Sequence, residues 1–398
     1  MKRNIVIEEE RAIPPYLRET QIVERKGKGH PDTIADSIAE EFSRNLCRAY
    51  IKKTGFVLHH NVDKLDVVGG VSRPKFGGGE IIKPIMIFFS GRATDQLGST
   101  KFDIEKIAID SAKSWIKNNL RYLDPDKHVR YQVETKPGAA ALADLLKRKA
   151  KIPLANDTSI GIGYAPLTET ERLVLSTEAY LNSKKFKQLY PNSGEDVKVM
   201  ALRIKDRIDL TVGMAMIDRG IDSISDYLAL KAEIIDEIKK YASSLTQKKV
   251  RVWLNSADQP KRGVNGCYLT VTGLSAECGD DGAVGRGNRI HGLITPDRPM
   301  IMEAAAGKNP INHVGKIYNV LACRIADRII AEVSEVDDVI VRLLSRIGTP
   351  IDQPQIASIR IRSNTKYPKA KVNAIVNDEF EGILKLQKEL IKGKYKFF

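Results

Sequence analysis

Residues 196–204 read DVKVMALRI and, after three intervening residues, 208–217 read IDLTVGMAMI. Both are short apolar runs rich in valine, isoleucine and threonine, so both are expected to be strands. No helical pattern separates them; one returns only at 222–246. Working outward, further strands are expected at 64–68, 81–90, 129–134, 158–164, 249–254, 267–273 and 337–344, and helices at 101–120, 169–182, 313–333 and 379–392. Strands and helices therefore mix without strict β-α-β-α alternation. That favours an α+β fold, layered sheets with helices on one face, over a doubly wound sheet. At about 100–200 residues per domain, 398 residues suggest two or three domains. Loops near 150–157, 191–196 and 255–266 divide the chain approximately into regions 1–150, 151–255 and 256–398.

Hydrophobic residues at 42% and charged residues at 29% belong to a globular protein with a sizeable core, which excludes disordered, collagen-like and disulfide-stapled classes. MKRNIVIEEE carries no apolar h-region, so no signal peptide is expected. IIKPIMIFF is too short and interrupted to span a bilayer. Cys47, Cys267, Cys278 and Cys323 form no CxxC and read as thiols in a reducing cytoplasm. Lys+Arg 64 against Asp+Glu 50 gives +14, a charge that attracts anions without choosing among nucleic acid, membrane and phosphorylated substrates. Aromatics at 6% and the lack of an RRM, KH or zinc module argue against nucleic acid. The Lys-rich piece 146–151 and the tail KGKYKFF read as solvated faces.

Three segments carry chemistry. Gly27-Lys28-Gly29-His30-Pro31-Asp32 precedes a run, Ile34, Ala35, Ile38, Ala39, Phe42 and Leu46, with helical spacing and Gly55 beyond its end. Glycines admit a ligand to the backbone, and a helix N-terminus suits a phosphate. His30 and Lys28 add donors and charge. Asp32 is either an N-cap or a ligand for a hard cation such as Mg²⁺. The second segment runs from Glu277 to Arg289, ECGDDGAVGRGNR. Asp280 and Asp281 offer oxygens to Mg²⁺, Gly282 and Gly285 open N–H groups to phosphate, and Arg286 gives bidentate contacts. Neither GxxxxGK[ST] nor GxGxxG occurs, which disfavours P-loop NTPases and dinucleotide-binding folds. In the third, Gly307-Lys308-Asn309-Pro310 leads to Asn312 and a helix, again an anion site in outline. Weaker signals are Asp157 in a polar turn, Lys198 entering a strand, and the small-residue turn Lys136-Pro137-Gly138-Ala139-Ala140-Ala141. From the residues alone, the chain reads as a cytosolic enzyme with a Mg²⁺–polyphosphate site.

GKGHPDTIADSI, ANDTSIGIGYAP, GEDVKV, GDDGAVGRGNR and AAAGKNPINHVGKIYN, in that order, resemble the S-adenosylmethionine synthetases, and the archaeal branch in particular, over about residues 3–395. The resemblance implies ATP and L-methionine as substrates, attack of the methionine sulfur on ribose C5′, and hydrolysis of the displaced tripolyphosphate to pyrophosphate and phosphate. It implies His30 as a donor to the leaving oxygen, and Asp32 and Asp280 as ligands of Mg²⁺, two ions being expected. Lys198, Arg286 and Lys308 would grip the tripolyphosphate, and Asp157 the adenosine–methionine side. Lys28, Asp281, Gly282, Gly285, Asn312 and residues 136–141 would touch substrate. K⁺ is implied too, with Glu80 or Asn61 as its candidate ligand. The implied fold has three similar interleaved α+β domains. Their sheets pack face to face in a homodimer or higher oligomer whose subunits share each site. Two departures stand out. Ala139 and Ala141 replace the Ser and Asp of the archaeal loop. Gly287 stands where bacterial members carry lysine, leaving Arg289, Lys308 or Lys316 to supply that charge.

Overall fold

The computed structural model describes residues 3–147 and 151–398, so most of the Lys-rich piece 146–151 lies outside the described side chains. It is an α+β protein in which three main sheets share one plan. At the centre of each is an antiparallel pair: Leu65–Val68 with Ile85–Phe89, whose connection carries the small hairpin Val71–Arg73 and Glu80–Lys83, Ser193–Ile204 with Arg207–Ile217, and Asp338–Leu344 with Ile356–Arg362. The second strand of each pair takes a parallel outer neighbour, respectively Val129–Val133, Lys249–Leu254 and Ile5–Glu9. The first strand takes an antiparallel one, respectively Gly282–Ala283, Thr20–Lys26 and Ile160–Ala165.

Those antiparallel outer strands interleave the chain. Thr20–Lys26 belongs to the sheet of Ser193–Ile204, yet the helix that follows it, Pro31–Thr54, packs on the sheet of Leu65–Val68. Ile160–Ala165 likewise precedes helix Glu169–Leu181, which packs on the sheet of Ser193–Ile204. Gly282–Ala283 precedes helix Val314–Glu332, which packs on the sheet of Asp338–Leu344. Each sheet buries one face beneath helices, giving three separate cores.

The helix Pro31–Thr54 forms as its spacing requires. Ile34, Ala35, Ile38, Ala39, Phe42 and Leu46 are all buried, and each large one contributes about 1.5–3 kcal/mol of burial. Gly55 ends it at φ 83°, a left-handed turn that disfavours other residues. Its cap is His30 rather than Asp32.

Several expectations needed correction. Strands Ile5–Glu9, Thr20–Lys26 and Ile356–Arg362 were hidden by charged residues on their outer face. The run 81–90 is two strands parted at Pro84, which has no N–H to donate. Of 267–273, only Leu269–Thr270 pairs. Helix 379–392 is the end of Lys369–Glu381 plus Ile383–Ile391, broken at Gly382. In the tail the lysines Lys392, Lys394 and Lys396 are exposed as expected, but Phe397 is buried in the core under Val314–Glu332, and the Tyr395 hydroxyl donates to Glu389 Oε2 at 2.8 Å.

Candidate functional site

The Gly27–Gly29 turn is fixed by the strand beneath it. Gly27 N–H donates to Val197 O and Gly29 N–H to Glu195 O at 2.9 Å, where a register irregularity between Ser193 and Val197 opens the ladder. A Cβ on Gly29 would lie 2.4 Å from the backbone of Glu195 and Asp196, so only glycine lets the turn sit this low. The turn delivers His30 to the start of the helix.

His30 Nδ1 accepts the Asp32 N–H at 3.2 Å, satisfying one unpaired donor of the helix N-terminus. The neutral ring therefore carries its proton on Nε2. Burial holds His30 below the usual imidazole range, against the pull of Asp196 and Asp32, so the neutral form is favoured. Asp32 Oδ2 accepts from Lys26 Nζ at 2.7 Å and its Oδ1 from Ala283 N–H at 3.0 Å. Asp280 Oδ2 accepts from Ser275 Oγ at 3.1 Å. Ser275 also binds Asp196, a fully buried carboxyl that burial pushes up against the opposing effect of His30.

Lys26, His30, Asp32 and Asp280 share an open groove with Asp66, Lys198, Asp281, Gly282 and Arg286, and Ser275 and Asp196 are buried behind it. Lys198 stands opposite Lys26 in the strand register and pairs with Glu24 at 3.2 Å. Asp281 accepts Gly69 N–H at 2.7 Å. Gly282 lies against Pro31, where a Cβ would come within 2.2 Å of its carbonyl carbon. Sequence reasoning missed Lys26, Asp66 and Asp196. Lys26 directly adjoins the first glycine segment and Asp196 lies inside GEDVKV, singled out for Lys198, while Asp66 is one strand residue whose partner loop is over two hundred positions away.

Other sequence candidates gather elsewhere. Lys308 is buried, with Nζ 2.5 Å from Asp63 and 3.2 Å from Glu303. It bridges to Asn61 in the backbone, and Asn156 N–H donates to Asn312 O at 3.1 Å. Lys136 bridges Arg92, and Gly138 lies against the His59 ring. Ala139 to Ala141 are exposed at the start of helix Ala140–Lys147. Asp157 is exposed beside Asn156 and accepts Thr158 N–H at 2.7 Å. None of these lines the groove. This second cluster is short of partners: His59 Nδ1, Asn61 Oδ1, Asn156 Oδ1 and both amide atoms of Asn312 are buried without a hydrogen bond. Native interiors leave few such groups.

Lys28 lines a different cavity, with Arg25, Glu178 and Asn182. Glu80 is an exposed strand residue paired with Arg73 at 3.1 Å. Of the three cations that could replace a lysine at Gly287, Arg289 binds loop carbonyls, Lys308 Asp63, and Lys316 Glu40 at 2.7 Å. None of these three lines the groove, whereas Lys26 does.

Four carboxylates and three cations line the groove: Asp32, Asp66, Asp280 and Asp281 with Lys26, Lys198 and Arg286. A multiply charged anion alone would meet repulsion here. One bridged by divalent cations would not. Among the described residues no three His, Cys, Asp or Glu side chains form a metal cage.

A groove lined by both carboxylates and cations, on an α+β scaffold, is a candidate enzyme site. The S-adenosylmethionine synthetase (AdoMet synthetase) family model matches residues 3–394. S-adenosylmethionine synthase of Pyrococcus furiosus is 49% identical over 404 residues, 100% of both chains. That of Pyrococcus horikoshii is 50% identical, again over 100% of both. A probable S-adenosylmethionine synthase of Aquifex aeolicus is 46% identical over 99% of each. An S-adenosylmethionine synthetase structure from Campylobacter jejuni shares the fold, with TM-score 0.58 and 15% identity over 93% of this chain and 90% of that one. The chain belongs to the S-adenosylmethionine synthetase family.

Proposed function

We propose that this protein is a methionine adenosyltransferase, joining ATP and L-methionine to form S-adenosylmethionine and cleaving the displaced tripolyphosphate to pyrophosphate and phosphate. The observation that carries this is the convergence of His30, Asp32, Lys198, Asp280 and Arg286 on one groove in a chain that matches the family from end to end.

Sulfur is already a good nucleophile, so the barrier lies in charge gathering on O5′ and the phosphates. Preorganised donors answer that need. His30, neutral with its proton on Nε2, donates to the departing oxygen. Lys198 and Arg286 hold the polyphosphate, and Lys26 keeps Asp32 oriented. Mg²⁺ held by Asp32 and Asp280 supplies Lewis-acid neutralisation of phosphate charge when bound.

The second cluster supports a shared site. Lys308, Asn312, Asp157 and residues 136–141 of one subunit complete the groove of another, and the unpartnered amides of Asn156 and Asn312 meet substrate there. Asn61 Oδ1 is the oxygen offered to K⁺, Glu80 being committed to Arg73. Val6, Ile22, Val68, Ile160 and Trp253 are exposed on the sheet faces turned away from the helices, which supports face-to-face pairing in a homodimer. The three sheet-and-helix units are then the family's three domains. Among the described residues no helix is long and apolar enough to cross a membrane. A cytoplasmic location is proposed with it.

The test is incubation of the protein with ATP, L-methionine, Mg²⁺ and K⁺, with mass spectrometry of the nucleoside and separate phosphate and pyrophosphate assays. A sulfonium nucleoside with equal phosphate and pyrophosphate is expected. ADP or AMP instead refutes the reading. Sedimentation of the active species as a monomer refutes the shared site.

A further inference from the structure

The helix Pro31–Thr54 presents Asp32 and Asp36 one turn apart on one face. The two carboxylates grip the glycine loop's backbone at two points. Asp32 Oδ1 accepts Ala283 N–H at 3.0 Å, and Asp36 Oδ1 accepts Gly285 N–H at 2.9 Å. Arg286 is the next residue. The loop's carbonyls are held from the other side, where Arg289 Nη2 donates to Gly285 O and, at 2.8 Å, to Gly287 O. Gly287 passes so close that a Cβ there would lie 2.8 Å from Asp36 Oδ2. Asp36 is only 2% exposed and does not line the groove. What it holds is the Gly285 amide, one residue before Arg286.

We propose that Asp36 is a positioning residue that sets the Gly285–Gly287 backbone, and through it the direction of the Arg286 guanidinium, for the hold on tripolyphosphate. The proposal rests on the reading of Arg286 given above. A long, exposed arginine has many rotamers, so a fixed Cα is the least the site must supply for a repeatable clamp. Asp32 fixes the backbone at Ala283 but is also offered to the metal. Asp36 is the anchor on this helix that stands off the groove.

The experiment measures Mg²⁺-dependent hydrolysis of added tripolyphosphate, together with the KM for L-methionine in the full reaction. Asp36→Ala is expected to lower kcat for tripolyphosphate about ten- to a hundredfold, the scale of a small misplacement, with the KM for L-methionine changed less than about twofold. Asp36→Asn keeps the acceptor for Gly285 and is expected within about threefold of the parent. In an Arg286→Ala background, Asp36→Ala is expected to add less than about twofold, because residues acting through one another are not additive. Should Asp36→Ala fail to fold, Gly287→Ala displaces the same carboxylate from the loop side and is expected to give the same split. The proposal is overturned if Asp36→Ala keeps its full effect without Arg286, or if Asp36→Asn is as damaged as Asp36→Ala. A parent protein that makes no sulfonium nucleoside fails the reading of the function instead, a result distinguishable from either.

Discussion

His30 does two jobs that substitution can separate. Its Nδ1 accepts Asp32 N–H, an N-cap whose loss costs about 1 kcal/mol. Its Nε2–H is the donor assigned to the departing oxygen. Loss of one such donor costs about 10²–10³ in kcat, or about 2.7–4 kcal/mol of transition-state stabilisation. His30→Ala removes both. His30→Asn restores the cap, since asparagine is among the best N-cap residues, but its shorter amide does not extend into the groove as the ring does. Both variants should fall about 10²–10³ in kcat for sulfonium formation. Only the alanine variant should lose about 1 kcal/mol in urea unfolding. The product would be quantified by mass spectrometry at saturating ATP and L-methionine. His30→Ala within threefold of the parent would sink the donor role. Activity tracking stability across the two variants would show that His30 acts only as a cap.

Three more predictions follow from the same geometry. His30 has its folded-state pKa depressed by burial below the unfolded value of about 6.5. It is therefore neutral at pH 7, and acid costs stability as pH falls below about 6.5, where the unfolded chain takes up the proton first. A pH–rate profile should show an acid limb below that value that vanishes in His30→Asn; buried Asp36, pushed up to about 7, titrates separately and should persist in both. Arg298 is buried between Glu171 at 3.0 Å and Asp338 at 2.9 Å, and Arg298→Met strands both carboxylates, so unfolding in urea should show a loss of about 3–5 kcal/mol. A loss under 1 kcal/mol would contradict this. Gly29→Ala forces a Cβ into the Glu195–Asp196 backbone and should cost about 1–3 kcal/mol while lowering activity at least tenfold through displacement of His30. Activity equal to the parent would show that the turn has room.

The repeat plan has a consequence for how the groove is assembled. Thr20–Lys26 and Gly282–Ala283 are the antiparallel outer strands of two different sheets, and helix Pro31–Thr54 runs between them. Lys26 comes from the first, Asp280 and Arg286 flank the second, and His30 and Asp32 come from the helix start. The groove therefore sits where two cores meet, and either core moving would part Lys26 and Lys198 from the carboxylates.

By itself the sequence determined the α+β class, because adjacent strand runs without an intervening helix are a local pattern. It also determined the long helix from Pro31 and the types of chemistry in the three glycine-bearing segments, since helical periodicity and glycine with charge are local properties. The family could be read from the order of those segments. The partition of the candidates was decided only by tertiary structure. Lys198 and Arg286 look equivalent to Lys308 as phosphate-gripping cations in sequence, yet Lys308 is buried against Asp63 and the other two face the groove. His30 rather than Asp32 caps the helix, the Lys26 ammonium and the Ala283 amide having claimed both oxygens of Asp32. Lys26, Asp66 and Asp36 gain meaning only from partners as much as about 250 residues away. No local pattern carries such information, because it is the packing of separate cores that brings those residues within a hydrogen bond of one another.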